Sequence, residues 1–265
     1  LLADTLVFDI ETIPDIAGGR KLLGLETLDD DAVAKALFAK REQEAGTSIL
    51  RHHLQRIVAI SIVFYSKESV KVCSLGDLNS DEKTLLTLFF RALEKYTPTL
   101  VSWNGTGFDL PVIHYRGLIH GLSAPRYWET GEHEQSFKWN NYLNRYHYRH
   151  LDIMDILAGY QPRNNARLDE IACLIGYPGK VGMDGSQVWP HYQQGKLAEI
   201  RHYCETDVLN TFLIYLRFEL FRGNLSQTQY NHACEHLKAA LQQEQKPHLD
   251  AFLQVWQADN NNLTV

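Results

Sequence analysis

Basic residues are in short supply in this 265-residue sequence. Lys and Arg number 26 against 32 Asp and Glu, a net charge of −6 with histidine neutral. A chain of that charge does not coat nucleic acid through its bulk field. An enzyme that meets nucleic acid at one cleft stays open, because cations there offset the acids and basic residues can be local. The four cysteines, Cys73, Cys173, Cys204 and Cys234, are scattered and form no C-x-x-C pair. That argues against a thiolate zinc site and against a disulfide framework, and makes a reducing cytoplasm the simplest setting. No apolar run approaches the length of a membrane span, so no membrane association is expected. Repeats and low-complexity tracts are missing as well. No basic region precedes an apolar core at the start, so no signal peptide is expected, although a leader removed from a longer chain would leave the same sequence.

What is present has the composition of an ordinary soluble globular protein, 45% hydrophobic and 22% charged, with enough chain for one large core. The most informative stretch runs from Thr5 to Pro14. Leu6, Val7 and Phe8 read as a buried strand, and Asp9 and Glu11 follow within it. Residues i and i+2 of a strand share a face. Two carboxylates there repel each other and are costly to desolvate. Either the strand ends in solvent or a divalent cation sits between them.

Further along, Gly18, Gly19 and Gly24 suggest a loop, and the acids at 29–31 suggest a helix start. A helix over 32–45 follows, basic in its later half (Lys35, Lys40, Arg41), with Gly46 as its stop. This excursion around 28–46 is a lid or a surface ornament; the residues do not choose. A strand over 56–65, a polar turn over 66–68 and a hairpin partner over 70–75 complete three antiparallel strands. A helix over 81–96 ends at Pro98, and 99–103 is a short buried strand. Asn104 to Gly107 form a turn, and a helix over 109–118 takes Pro111 in its first turn.

The segment 127–150 interleaves Tyr127, Trp128, Phe137, Trp139, Tyr142, Tyr146 and Tyr148 with Lys138, Arg145 and Arg149. Such a texture suits stacking on unpaired bases, but packing is favoured for most of these rings. Asp152 is an N-cap or a site residue, the cap being favoured. Lys180, in a glycine-rich loop after a helix over 168–175, is favoured as a solvated lysine over a phosphate contact. The longest helix runs over 197–220 and carries Tyr203 and Asp207 at i and i+4, on one face. A last amphipathic helix is expected over 226–245, and a frayed tail over 259–265. The order of elements fits one α/β domain over 1–265, with a mixed central sheet flanked by helices.

Four carboxylates on three segments, Asp9 and Glu11, Asp109, and Asp207, can converge at a sheet edge. Phe8-Asp9-Ile10-Glu11-Thr12, then Asn104-Gly105-Thr106-Gly107-Phe108-Asp109, then Tyr203-x-x-x-Asp207 resemble, in order and setting, the motifs of the DEDD superfamily of 3′–5′ exonucleases. The match is to the tyrosine version of that superfamily, on the ribonuclease H-like fold. Leu168 to Ala172, Gly179-Lys180 and the stretch from Tyr203 to Thr211 resemble more narrowly the bacterial predicted exonucleases related to the proofreading domain of family B DNA polymerases. The resemblance covers nearly the whole chain except the excursion.

It implies a free-standing, metal-dependent 3′–5′ exonuclease with two divalent cations, Mg²⁺ or Mn²⁺, about 3.5–4 Å apart. Carboxylate oxygens suit these hard ions. By the resemblance, Asp9 bridges both ions, Glu11 and Asp207 hold the one that activates water, and Asp109 supports the other through water. Tyr203 orients the attacking water. Thr12, Asn104 and Phe108 are candidates for gripping the terminal nucleotide, though Asn104 is equally a turn residue and Phe108 a core residue. The implied substrate is single-stranded nucleic acid, DNA favoured over RNA, released as 5′-mononucleotides. The rival expectations are an RNA-directed exonuclease and a nucleic-acid-binding protein on a decayed nuclease fold. No protein partner is implied.

Overall fold

The computed structural model describes residues 2–67, 69–180 and 182–262, the last four by backbone alone. Its strands are β1 (Thr5–Pro14), β2 (Gln55–Tyr65), β3 (Val70–Ser74), β4 (Thr99–Ser102) and β5 (His150–Asp152). Its α-helices are α1 (Ile16–Leu23), α2 (Asp30–Ala45), α3 (Glu82–Tyr96), α4 (Asp109–Ile119), α5 (Pro125–Trp128), α6 (Ile153–Leu157), α7 (Leu168–Leu174), α8 (Val188–Gln193), α9 (Leu197–Phe221), α10 (Gln227–Glu244) and α11 (Pro247–Asn262). The strands form one five-stranded sheet in the order β3-β2-β1-β4-β5. β1 pairs antiparallel with β2, as β2 does with β3, while β1–β4 and β4–β5 are parallel. This is the mixed sheet expected of a ribonuclease H-like fold. Among the described residues no helix is long and apolar enough to cross a membrane.

Strand alternation sorts β1 between two cores. Leu6, Phe8 and Ile10 pack with Phe89 and Leu93 of α3 and Ile113 of α4. Val7 faces the other way, into a cluster with Val208, Leu209 and Phe212 of α9. Asp9 and Glu11 are in phase with Val7, so the face that is apolar at Val7 turns acidic two residues later. A bulge then follows: Glu11 lies opposite Ala59, but Thr12 lies opposite Ile57. β4 pairs with β1 only from Thr5 to Val7. Beyond Val7 that edge of β1 is open, and the start of α4 occupies it.

Two expectations change. Residues 16–23 are helical rather than loop, despite Gly18 and Gly19. A Cβ on Gly19 would come 2.8 Å from a Leu37 methyl and 3.1 Å from Val33. The glycine lets α1 approach α2 closely, and tertiary packing overrides its low helix propensity. The chain also does not stop folding after α10: α11 buries Leu249, Phe252, Leu253 and Trp256 against the α9 and α10 core. The expected frayed tail over 259–265 falls on residues described by backbone alone, helical through Asn262, or outside the described residues.

The aromatic segment divides. Tyr127, Phe137 and Tyr142 are buried in the α3–α4 core, as packing predicts. Trp139, Tyr146 and Tyr148 are exposed. They precede β5, whose opposite end carries Asp152 toward the acids, and none of the three lines the acidic cleft.

Candidate active site

The acids meet where β1 leaves β4. Asp109 opens the first turn of α4, and its Oδ1 accepts the amide hydrogen of Ile10 at 3.1 Å. That bond puts the third carboxylate on the β1 backbone between Asp9 and Glu11. The turn feeding α4 is held from β5: Asp152 accepts from the amides of Asn104 at 2.9 Å and Thr106 at 2.8 Å, and caps α6 at Asp155. Asp152 is thus an N-cap, the favoured reading, and it also clamps the turn that leads into Asp109. Asn104 adopts a left-handed φ of 65°, which asparagine tolerates better than most residues. A Cβ on Gly107 would lie 2.4 Å from the Asn104 amide oxygen, so a side chain there would have to displace the Asn104 amide.

α9 brings the remaining groups. Cys204 is fully buried, with Sγ 3.4 Å from the Asp9 carbonyl and 3.5 Å from its Oδ2. Ligand atoms of Asp9, Glu11 and Cys204 lie within 4.8 Å of one another. Sequence reasoning passed over this cysteine because its thiol lacked a partner motif. Its location inside Tyr203-x-x-x-Asp207 was the available signal. Tyr203 hydrogen-bonds to Asp207 across one helical turn.

The electrostatics are those of crowded, poorly hydrated carboxylates. Burial, then the charges of Asp109 and Asp207, push Asp9 well above the usual carboxylate range. Burial, followed by Asp9, Asp207 and Asp109, does the same to Glu11. Asp109 is pushed up to about 7 and Asp207 to about 6, chiefly by desolvation. Burial likewise raises Tyr203 and Cys204, with neighbouring acids adding to it, so both stay protonated at neutral pH. Lys180 lowers both Glu11 and Asp207 through its charge. It follows Gly179, whose N–H and C=O are both bonded to the Asn210 side chain of α9. Lys180 is exposed, as expected of a solvated lysine, and its charge still reaches the acids from a loop held by a clamp on a distant helix.

Four carboxylates, mutually destabilising when ionised, make an oxygen donor set suited to hard divalent cations, with the protonated Cys204 thiol packed beside them rather than serving as a ligand. Of the proposed substrate contacts, Thr12, Asn104 and Phe108 all line one cleft of about 860 Å³ that also contains Glu11. The Thr12 hydroxyl donates to Gln55 at 2.8 Å. Phe108 serves both readings: it lines the cleft, packs on the α3–α4 core and meets the His52 ring edge-on at 5.8 Å.

Known proteins resemble this chain in family and in fold. Residues 47–256 match the family described as predicted 3′-5′ exonuclease related to the exonuclease domain of PolB, a span that begins after β1 and α2. The catalytic polypeptide of DNA polymerase epsilon from Saccharomyces cerevisiae is 27% identical over 150 residues, covering 52% of this chain and 6% of that protein. The family B DNA polymerase of the hyperthermophilic archaeon Pyrobaculum calidifontis shares the fold at a TM-score of 0.52 and 15% identity. That likeness covers 83% of this chain and 25% of the polymerase. The chain thus spans only a small part of the relatives it matches.

Proposed function

The chain belongs to the family of predicted 3′-5′ exonucleases related to the exonuclease domain of PolB, and from that premise we propose that Asp9, Glu11, Asp109 and Asp207 hold two divalent cations, Mg²⁺ or Mn²⁺, for hydrolysis of single-stranded nucleic acid from its 3′ end. The substrate favoured is DNA, and the product a 5′-mononucleotide. The reading takes 1–265 as one exonuclease domain. It also takes the protein to work in a reducing cytoplasm, in keeping with four free cysteines. One observation carries it: four carboxylates from β1, α4 and α9 meet in a setting that raises them all when no cation offsets their charge.

When bound, such ions lower the pKa of water and offset charge on both the attacking and the leaving oxygen. The chain's own groups do the rest. The charges of both Asp109 and Asp207 act on Asp9, so Asp9 would share in holding either cation. Tyr203, protonated and tied to Asp207, acts as a hydrogen-bonding group that aims water rather than as a base. Lys180 supplies the local positive charge that the whole chain lacks, beside the position of the scissile phosphate. Thr12, Asn104 and Phe108 grip the terminal nucleotide.

Matched 5′-labelled DNA and RNA single strands, incubated with Mn²⁺ and with EDTA, test this. Metal-dependent shortening from the 3′ end supports the reading, and the faster polymer identifies the substrate. Binding without hydrolysis would identify the protein as a decayed nuclease instead.

A further inference from the structure

Beyond Glu11 and Thr12 the cleft has an apolar wall drawn from two places far apart in the sequence. Phe38 on α2, with Ile49 and Leu50 after it, lines one part; Trp189 and Pro190 on α8 line another. Ile49 is 63% exposed, an apolar side chain left facing water. Trp189 is held firmly. It packs both on the α1–α2 cluster and on the cluster containing Tyr203 and Cys204. Its ring stacks on Tyr192, with centroids 6.1 Å apart and planes 17° from parallel. The Tyr192 hydroxyl in turn accepts from Arg56 at 2.6 Å. Across the gap Gln193 donates to Asp31 of α2 at 3.2 Å. The segment between β1 and β2 is therefore braced against α8 and forms part of the same cleft as Glu11.

Resting on the exonuclease reading, we propose that this segment is the specificity wall of the site: Phe38 and Ile49, facing Trp189, hold the nucleobase of the unpaired 3′-terminal nucleotide. Carboxylates and cations engage only the phosphate, and of Thr12, Asn104 and Phe108 only Phe108 offers an apolar face, so the rest of the grip on the base comes from elsewhere in the cleft. Aromatic and apolar faces do so without regard to base identity, and each stacked base is worth roughly five- to 150-fold in affinity. The wall is continuous with Glu11, which places the base next to the phosphate being cut. A paired base cannot use it, because it would first have to leave its own stack. Thr12 links floor and wall: it donates to Gln55, which donates to the Leu50 carbonyl at 3.1 Å.

The test compares removal of a normal 3′-terminal nucleotide with removal of a stable abasic residue from the same 5′-labelled strand. Wild type should favour the normal end by at least about fivefold in kcat/KM. Ile49→Ser and Phe38→Ala should bring that ratio close to one, mainly through KM. Ile49 is exposed, so its replacement leaves the fold intact even if Phe38→Ala does not. Leu22→Ser, exposed on α1 and outside the cleft, should keep the wild-type ratio. Unchanged ratios in Ile49→Ser and Phe38→Ala, or a wild type indifferent to the base, overturn the proposal. Bis(p-nitrophenyl) phosphate, which carries no base, separates the possible failures when given to the wild type. Its metal-dependent hydrolysis alongside indifference to the base sinks this proposal and leaves the exonuclease reading standing. No hydrolysis of either substrate sinks both.

Discussion

Oδ1 of Asp109 accepts the amide hydrogen of Ile10 at 3.1 Å, a contact across 99 residues of sequence. It binds the start of α4 to the open edge of β1, between the two acids of that strand. The carboxylate thus has two separable jobs there, a hydrogen-bond acceptor for β1 and a negative charge for the site.

Asp109→Asn keeps an acceptor and removes the charge. Hydrolysis should fall by about a hundredfold or more, given what misplacing a single active-site group costs. The denaturant midpoint should hold or rise. Asp109→Ala should lose activity and also stability, by about 1–3 kcal/mol, because the buried Ile10 N–H is left without a partner. Equal stability of the two variants would show that the bond to Ile10 contributes nothing.

The raised carboxylates predict an unusual pH dependence in metal-free protein. Asp109 titrates at about 7 and Asp207 at about 6 when folded, against about 4 when unfolded. Between those values the folded state binds more protons. The contribution of these groups is therefore fully present below about pH 4 and is lost as pH rises through 6 and 7. In EDTA, the stability of wild type relative to Asp109→Asn should fall between pH 4.5 and 7.5, as read by chemical denaturation at each pH. A relative stability that stays flat or rises contradicts the desolvation of Asp109.

Cations should reverse that loss. Ligand bound only to the folded state stabilises it by about 2.7 kcal/mol at a hundredfold excess over Kd. Mn²⁺ or Mg²⁺ should accordingly raise the melting temperature at pH 7.5, and Asp207→Asn should blunt the rise. Absence of any shift at saturating metal would count against the proposed ligands.

Tyr203→Phe keeps the ring in its packing cluster and removes the hydroxyl that bonds Asp207. Single-turnover rates should drop about a hundredfold if that hydroxyl aims the water, with saturating Mn²⁺ unable to restore them and the melting temperature nearly unchanged. Rates within twofold of wild type would make Tyr203 a packing residue only.

Much of this was legible in the sequence because it depends on local periodicity. Strand alternation put Asp9 and Glu11 on one face, and the helical repeat put Tyr203 beside Asp207. Other features depend on where elements end and what packs on them. That Asp109 reaches Ile10 follows from β4 pairing with β1 no further than Val7, which no local pattern encodes. The charge of Lys180 reaches Glu11 and Asp207 from a loop whose Gly179 is held by Asn210, 31 positions away. The two glycines of α1 signalled a loop, yet close packing on Leu37 makes a helix there. The segment between β1 and β2 gave no sign whether it was lid or ornament, because its partner Trp189 lies in a distant helix.

Whether these carboxylates run a metal-dependent 3′–5′ exonuclease is decided on one denaturing gel. A 5′-labelled single strand, incubated with Mn²⁺ and either wild type or Asp9→Asn, is resolved beside a 3′-blocked strand and a circular one. Wild type should give a ladder shortening from the free 3′ end and leave the blocked and circular strands uncut, while a folded Asp9→Asn gives no ladder. A wild-type ladder from Asp9→Asn, or internal cuts in the circle, would contradict the assignment.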